Sequence, residues 1–367
     1  VQQIKFNNKT HNYSILIGKN ILGVLSKKIK LLCPKARKIA LVIDKKVPSK
    51  FKNRIKNQLK NFEIVHLSFE ANEKNKSIVS VNKYLNILLS KNFNRSDLVI
   101  GIGGGITGDV VGFTASLFKR GINFFNIPTT LLAQVDSAVG GKTGVNTMHG
   151  KNLIGSFYQP KFVISDIAFL KSLPKREILC GYAEIFKHSL ISDRNFFYYL
   201  DNNIQKIINL EKNYIERSIF KSCIIKRNIV EKDFKENGLR KILNFGHTFG
   251  HAYEAALEYS SNLNHGEAVI LGLSSAAKFS QDIKILSANE YNLISKHIRK
   301  ISRKFFLKNY FKEKNIPKII KFMKIDKKNS DDKINLILIK KIGNVNFNKK
   351  FIIEKIQKFF LSYFNTI

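Results

Sequence analysis

The chain has 367 residues and 44% hydrophobic content, enough to bury a core in roughly two domains, which excludes a short peptide or a disordered segment. Its 63 Lys and Arg against 27 Asp and Glu give a formal charge of +36, but the lysines spread from Lys5 to Lys358 among Asn and Ile, and no tract interleaves aromatic with basic residues. That pattern reads as compositional drift on solvated faces and speaks against a specific nucleic-acid partner.

From Val1 to Gly18 the apolar residues Ile4 and Phe6, then Tyr13, Ile15 and Ile17, alternate around the polar stretch Asn7-Asn8-Lys9-Thr10. A hairpin is expected there and not a signal peptide. The segments Lys38 to Asp44 (KIALVID), Glu63 to Phe69 (EIVHLSF) and Asp97 to Ile102 read as strands. A polar helical stretch follows the first, and a helix through Val81 to Leu89 precedes the third. Strands alternating with helices imply a parallel sheet covered on its faces. After about Pro174 the pattern becomes helical, with helices expected at Arg176 to Leu190, Tyr214 to Glu231, His247 to Leu257 and Gly266 to Phe279, and a short strand at Ile334 to Ile339. The expected organisation is an α/β domain over 1–174, a variant Rossmann-like parallel sheet, and a mainly α-helical domain over 175–367. No run of about 18 or more apolar residues suggests a membrane span. Cys33, Cys180 and Cys223 are three in number and lack CxxC spacing, so they support neither a disulfide framework nor a thiolate zinc site. A reducing, cytoplasmic compartment fits.

Three regions carry chemistry. The run GIGGGITGD, Gly101 to Asp109, leaves a strand and opens an apolar helical segment, so Gly103, Gly105 and Gly108 satisfy G-x-G-x-x-G in its proper context. Backbone N–H groups and the helix dipole there suit a pyrophosphate; a turn packed closely on a neighbouring helix is the alternative. Asp44, the acidic residue suited to ribose hydroxyls, ends a strand before this loop, where an ordinary Rossmann unit places it after. Next, Thr129, Thr130, Asp136, Lys142, Lys151 and Asn152 gather around Gly140 and Gly141, a mixture that suits a cofactor and an anionic substrate. Finally, His247 and His251 are four apart on one helical face, and His265 follows closely. With a carboxylate they could bind a metal and leave an open position, although spacing does not choose among Glu184, Glu254, Glu258 and Glu267. Thr248 after His247 breaks HExxH and disfavours a metalloprotease. Glu184 and Lys187 share a helical face, where an exposed ion pair is the plain alternative. His11, His66, His149, His188 and His297 read as surface or packing residues.

The segments GGGITGDVVGF, RGINFFNIPTTLLAQVDSAVGGKTGVN, GKNLIGSFYQP, LPKREILCGYAEIFKH, NFGHTFGH and HGEAV, in this order, resemble the 3-dehydroquinate synthases over nearly the whole chain. The resemblance implies an N-terminal NAD domain, a C-terminal metal domain and a site in the cleft between them. The implied reaction converts 3-deoxy-D-arabino-heptulosonate 7-phosphate to 3-dehydroquinate and phosphate, a step of the shikimate route to aromatic amino acids. It implies one divalent metal, zinc or cobalt, on Glu184, His247 and His265. Catalytic roles fall to Lys142, Lys187, His251, Asn152 and Asp136, and further substrate contacts to Lys226, Arg240, Asn244 and Lys327, with Lys328 an alternative to the last. For NAD the matching positions are Asp44, Glu73, Lys76, the loop Gly103, Gly104, Gly105, Ile106, Thr107, Gly108 and Asp109, then Thr129, Thr130, Lys142, Lys151, Phe169, Leu170, Lys171 and Ser172. Ala71, Asn72 and Asn75 depart from the family's usual Asp, Gly and Tyr. A homodimer is a family expectation. A related sugar-phosphate cyclase or a metal-dependent polyol dehydrogenase is the alternative, but a dehydrogenase has no use for the anion-binding set Lys142, Asn152, Lys187, Lys226 and Arg240.

Overall fold

The computed structural model describes residues 1–8, 12–301, 306–325 and 333–366. They form two compact units: Val1–Ile178 with Leu210–Lys235, and Leu179–Asn209 with Glu236–Ile367.

The first unit opens with the expected hairpin of β1 (Gln2–Asn7) and β2 (Asn12–Gly18). Then α1 (Leu25–Leu32), β3 (Lys38–Asp44), α2 (Ser49–Gln58), β4 (Glu63–Phe69), α3 (Ile78–Ser90), β5 (Leu98–Gly103), α4 (Gly105–Leu117) and β6 (Asn123–Pro128) alternate. A hairpin of β7 (Lys142–Thr147) and β8 (Gly150–Phe157) and the strand β9 (Phe162–Asp166) complete the strands of this unit. The main sheet has the order β1-β2-β9-β6-β5-β3-β4, parallel except for the β1–β2 pair.

Strand periodicity explains the two cores. Ile39, Leu41 and Ile43 of β3 point to one face and pack with Leu25 and Ile29 of α1 and Phe51 and Ile55 of α2. Ala40 and Val42 point to the other face and meet Val81, Tyr84 and Leu88 of α3 and Val110 and Val111 of α4. A strand covered on both faces needs no polar alternation, which is why KIALVID reads as an unbroken apolar run. Each such buried aliphatic side chain stabilises the unit by about 1.5–3 kcal/mol relative to exposure.

The winding reverses between β3 and β5. From β3 the chain first goes outward to β4 and then returns to β5 on the opposite side of β3. At such a switch point the flanking helices leave toward opposite faces, and a crevice opens outside the carboxyl ends of the two strands.

The helix α5 (Lys175–Ser192) leads into the second unit, to which α6 (Arg194–Ile208) belongs; α7 (Lys212–Lys232) returns to the first. There Glu231 of α7 accepts a hydrogen bond from Asn7 N (2.7 Å), and Arg227 donates to the Lys5 carbonyl (3.0 Å). The second unit continues with α8 (His247–Ala256), α9 (His265–Asp282), α10 (Ala288–Ile301), α11 (Ile316–Ile325), the antiparallel pair β10 (Lys333–Lys341) and β11 (Asn344–Ile352), and α12 (Ile353–Thr366). The expected strand Ile334 to Ile339 lies inside β10. Phe249 of α8 packs edge-on against Phe359 and Phe360 of α12, and Phe279 of α9 against Phe359, which ties α8 and α9 to the last helix.

Candidate functional site

In the first unit the glycine loop sits at the switch point. Parallel pairing of Ile43 with Ile102 brings the next residues, Asp44 and Gly103, side by side at the carboxyl ends of β3 and β5. Asp44 therefore stands beside the loop in space although it precedes it in sequence, which accounts for the unusual chain order. A side chain at Gly103 would run into Thr107 and come within 3.0 Å of Asp44 Cβ, so only glycine keeps the loop this close to its neighbours. Gly104 caps α4, whose first-turn N–H groups have no carbonyl within the helix to satisfy them. The buried Thr107 hydroxyl in the same turn takes no hydrogen bond. Thr129 N closes the crevice by donating to the Gly103 carbonyl (2.8 Å), and Thr130 Oγ1 accepts from Ala133 N (3.2 Å). A dinucleotide's pyrophosphate and ribose fit this cradle.

Two ion pairs flank the cradle. Lys76 Nζ lies 2.5 Å from both Asp109 Oδ2 and Asn152 Oδ1. Burial raises the Asp109 carboxyl above its usual range even though the Lys76 charge pulls the other way. Asn152 adopts a left-handed backbone at φ 58°. Lys226 of α7 reaches the one-turn π-helix Ala133–Ser137 and donates to Asp136 Oδ1 (2.5 Å) and to the Asp136 carbonyl (2.6 Å). Further along, Lys151 Nζ pairs with Glu73 (3.1 Å), and Asn146 donates to the same carboxylate (2.7 Å). Burial alone would raise Glu73, but the Lys151 charge and these two hydrogen bonds outweigh it and hold Glu73 below the ordinary carboxylate value. Lys142 is exposed at the start of β7. Phe169 and Leu170 lie in a 3-10 turn with buried side chains, Phe169 against Phe51 at 4.2 Å between ring centres, while Lys171 is exposed and the Ser172 hydroxyl donates to the Phe169 carbonyl.

In the second unit Glu184, His247 and His265 converge, with potential ligand atoms all within 4.8 Å of one another. Glu184 Oε1 lies 3.5 Å from His247 Nε2 and 4.0 Å from His265 Nε2. Each imidazole is oriented from its far side: Nδ1 of His247 lies 3.2 Å from the Phe245 carbonyl, and Nδ1 of His265 lies 3.1 Å from Glu254 Oε2. That leaves both Nε2 atoms facing one carboxylate, the arrangement in which outer carboxylates and carbonyls fix metal-binding histidines. Of the four candidate carboxylates, Glu184 is the one that faces both Nε2 atoms, while Glu254 forms a second possible ligand group with His251 and His265. Glu254 orients His265, Glu267 closes the capping box with Asn264, and Glu258 pairs with Lys318 at 3.0 Å.

Glu184 is 1% exposed; Lys187 forms an ion pair with Oε2, while Oε1 faces the two imidazoles and accepts no hydrogen bond. A buried carboxylate with open lone pairs facing two imidazoles fits a divalent cation. The Glu184–Lys187 pair is buried, not the exposed surface pair that spacing alone would suggest. Burial first, then the charges of Lys187, His251 and His265, lower the His247 pKa well below its usual value, which keeps the ring neutral and able to ligate.

Local packing explains the convergence. Gly266, directly after His265, lies against the main chain of Cys180, so the start of α9 can approach α5 one turn before Glu184. Gly246, at φ 78°, turns the chain into α8 and sets His247 at its first position, with Leu273 N of α9 only 2.8 Å from where a Cβ would be. His251 is one turn further along α8, its ring centre 5.2 Å from that of His247. Arg240 is buried in the 3-10 segment Leu239–Asn244, and Asn244 donates to Glu236 Oε1 (2.7 Å). Lys327 and Lys328 lie outside the described residues. Sequence reasoning missed the orienting role of Glu254 and the part of Asn146. Glu254 stood among the candidate carboxylates, but its partner His265 lies eleven residues away, beyond any helical spacing rule.

The family model described as 3-dehydroquinate synthase N-terminal matches residues 66–180, and the one described as 3-dehydroquinate synthase C-terminal matches 181–329. The 3-dehydroquinate synthase of Pelagibacter ubique is 54% identical over 355 residues, covering 95% of this chain and 96% of that protein. That of Alkaliphilus metalliredigens is 40% identical over 345 residues, covering 94% of each. Among solved structures, 2-deoxy-scyllo-inosose synthase complexed with carbaglucose-6-phosphate, NAD+ and Co2+ superposes with a TM-score of 0.87 at 23% identity, covering 97% of this chain and 98% of that one. The 2-epi-5-epi-valiolone synthase of Streptomyces hygroscopicus, with NAD+ and Zn2+ bound, gives 0.86 at 22% identity over 98% and 99%. The expected fold, an α/β unit with a parallel sheet and a mainly helical second unit, is shared with these structures. Matched by both family models and by relatives along almost its full length, the chain belongs to the 3-dehydroquinate synthase family.

Proposed function

We propose that this family member converts 3-deoxy-D-arabino-heptulosonate 7-phosphate to 3-dehydroquinate and phosphate, with NAD on the switch-point cradle and one divalent cation, zinc or cobalt, on Glu184, His247 and His265. The convergence of those three side chains is the observation that carries the reading. When bound, NAD would exchange a hydride with a ring carbon and the cation would polarise oxygen there, acidifying the neighbouring C–H so that phosphate can leave.

The chain's own residues do the rest. Lys142, Asn152, Lys187, Lys226, Arg240 and Asn244, with Lys327, bind a substrate charged at both its carboxylate and its phosphate, and fixing both ends orders a flexible molecule for successive steps. Asp136 holds the Lys226 ammonium in place (2.5 Å) and so keeps a cation ready for an anionic group. His251 handles protons at its imidazole nitrogens. Asp44, Thr129, Thr130 and the Gly103 to Asp109 loop grip the nucleotide, with Glu73, Lys76, Lys151 and Phe169 to Ser172 along its length; because the net reaction is redox-neutral, tight retention serves it better than exchange. A cytoplasmic homodimer is part of the same reading. The three cysteines, buried and not joined by disulfides, support a reducing compartment, and sedimentation measures the dimer.

The test is phosphate release from the heptulosonate phosphate, followed with and without NAD and chelator. Both cofactors should be required, and Glu184→Gln should lower turnover by about 100-fold or more, the scale of several kcal/mol that a lost Lewis acid implies. Near-normal turnover in that variant, or indifference to chelator, overturns the assignment.

A further inference from the structure

The helix that carries Glu184 is held from its other side by a buried polar chain. Tyr182 Oη lies 3.0 Å from His297 Nε2, His297 Nδ1 lies 2.9 Å from Asp201 Oδ1, and Asp201 Oδ2 lies 2.6 Å from Lys300 Nζ. Tyr182 and His297 are both fully buried. The imidazole also stacks on Phe186 at 4.4 Å between ring centres and leans on Phe197 at 5.5 Å.

The direction of the chain follows from its ends. Asp201 can only accept, so His297 donates from Nδ1, its Nε2 is left bare, and the Tyr182 hydroxyl donates to it. Burial lowers the His297 pKa below its ordinary value, in keeping with the neutral ring this arrangement requires.

Tyr182 and Phe186 are four residues apart and share one face of α5, whereas Glu184 is two residues from each, about 200° around the helix axis. Apolar packing on the first face would resist separation of the helices but would tolerate rotation. Directional hydrogen bonds do not. We propose that His297 is a positioning residue: held by Asp201 and bonded to Tyr182, it fixes the rotation of α5 and thereby aims the Glu184 carboxylate at His247 and His265.

This inference rests on the reading of Glu184, His247 and His265 as cation ligands. The experiment is chelator competition for Co2+ on the full chain, together with its visible absorption spectrum, in the parent, Tyr182→Phe, His297→Leu, His297→Gln and Glu184→Gln. Tyr182→Phe and His297→Leu should weaken Co2+ binding by about 10–100-fold, the range seen when outer partners of metal ligands are lost, and should alter the spectrum. His297→Gln can both accept from Tyr182 and donate to Asp201 and should recover most of the affinity, which a loss of packing alone would not allow. Should His297→Leu fail to fold, Tyr182→Phe, which removes a single oxygen, carries the test. Unchanged affinity and spectrum in Tyr182→Phe, with Co2+ lost in Glu184→Gln, overturn the positioning role alone. Unchanged affinity in Glu184→Gln overturns the ligand set, and the positioning role with it.

Discussion

At the scale of single residues, burial decides what a side chain does. Glu184 and Lys187 on an exposed helix would contribute a few tenths of a kcal/mol, but at 1% and 2% exposure each is a desolvated charge that needs the other, and removing one would cost about 3–5 kcal/mol. His297 makes the same point with a titratable group. Burial lowers its pKa below 6.5, so beneath that pH the unfolded chain binds a proton that the folded chain refuses. Stability should therefore fall as pH drops below 6.5 and be insensitive to this group above it. Urea midpoints at pH 7 and pH 5 check this: the decrease should be smaller in His297→Gln than in the parent, and equal decreases would contradict the assignment. The sequence reading placed His297 among surface or packing residues because its partners Tyr182 and Asp201 lie 115 and 96 positions away.

At the scale of elements, close approach between helices turns scattered residues into a site. Gly266 allows α9 to touch the main chain of α5, and a methyl group there has nowhere to go because the obstacle is backbone. Gly266→Ala should destabilise the protein by about 1–3 kcal/mol, as overpacking does, and should weaken cation binding by moving His265 away from Glu184. Urea denaturation and Co2+ competition measure the two effects; a variant as stable as the parent would show that α9 can shift freely. The glycine was visible in HGEAV, but its reason was not, because a spacing rule carries no information about which helix lies opposite. The hairpin β7–β8 was likewise hidden: KTGVN read as part of a polar loop, and its pairing with GKNLIGSF depends on a tight turn joining two weakly patterned strands.

At the scale of the whole molecule, net charge and sheet topology have different consequences. A charge of +36 attracts any polyanion at low ionic strength. Because no tract of the sequence interleaves aromatic with basic residues, duplex DNA binding measured by anisotropy should be weak, independent of sequence and gone near physiological salt, whereas salt-resistant selective binding would demand a second function. Topology positions the proposed nucleotide cradle: the reversal of winding at β3 and β5 brings Asp44 to Gly103. The helix α7 lies between helices of the second unit in the chain yet packs in the first, where Lys226 meets Asp136.

Sequence alone determined the residue types and many of the elements, because hydrophobic periodicity and turn chemistry are local properties: the runs of β3 and β4, the helices α8 and α9 and the glycine loop were all legible. It also supplied the candidate ligands, and the resemblance to a family narrowed them. Only the tertiary structure decided which carboxylate faces the two imidazoles, which one orients His265, and which buried chain holds the helix that carries Glu184. Those choices depend on helix rotation and close approach between segments far apart in the chain, and neither is encoded in any local pattern.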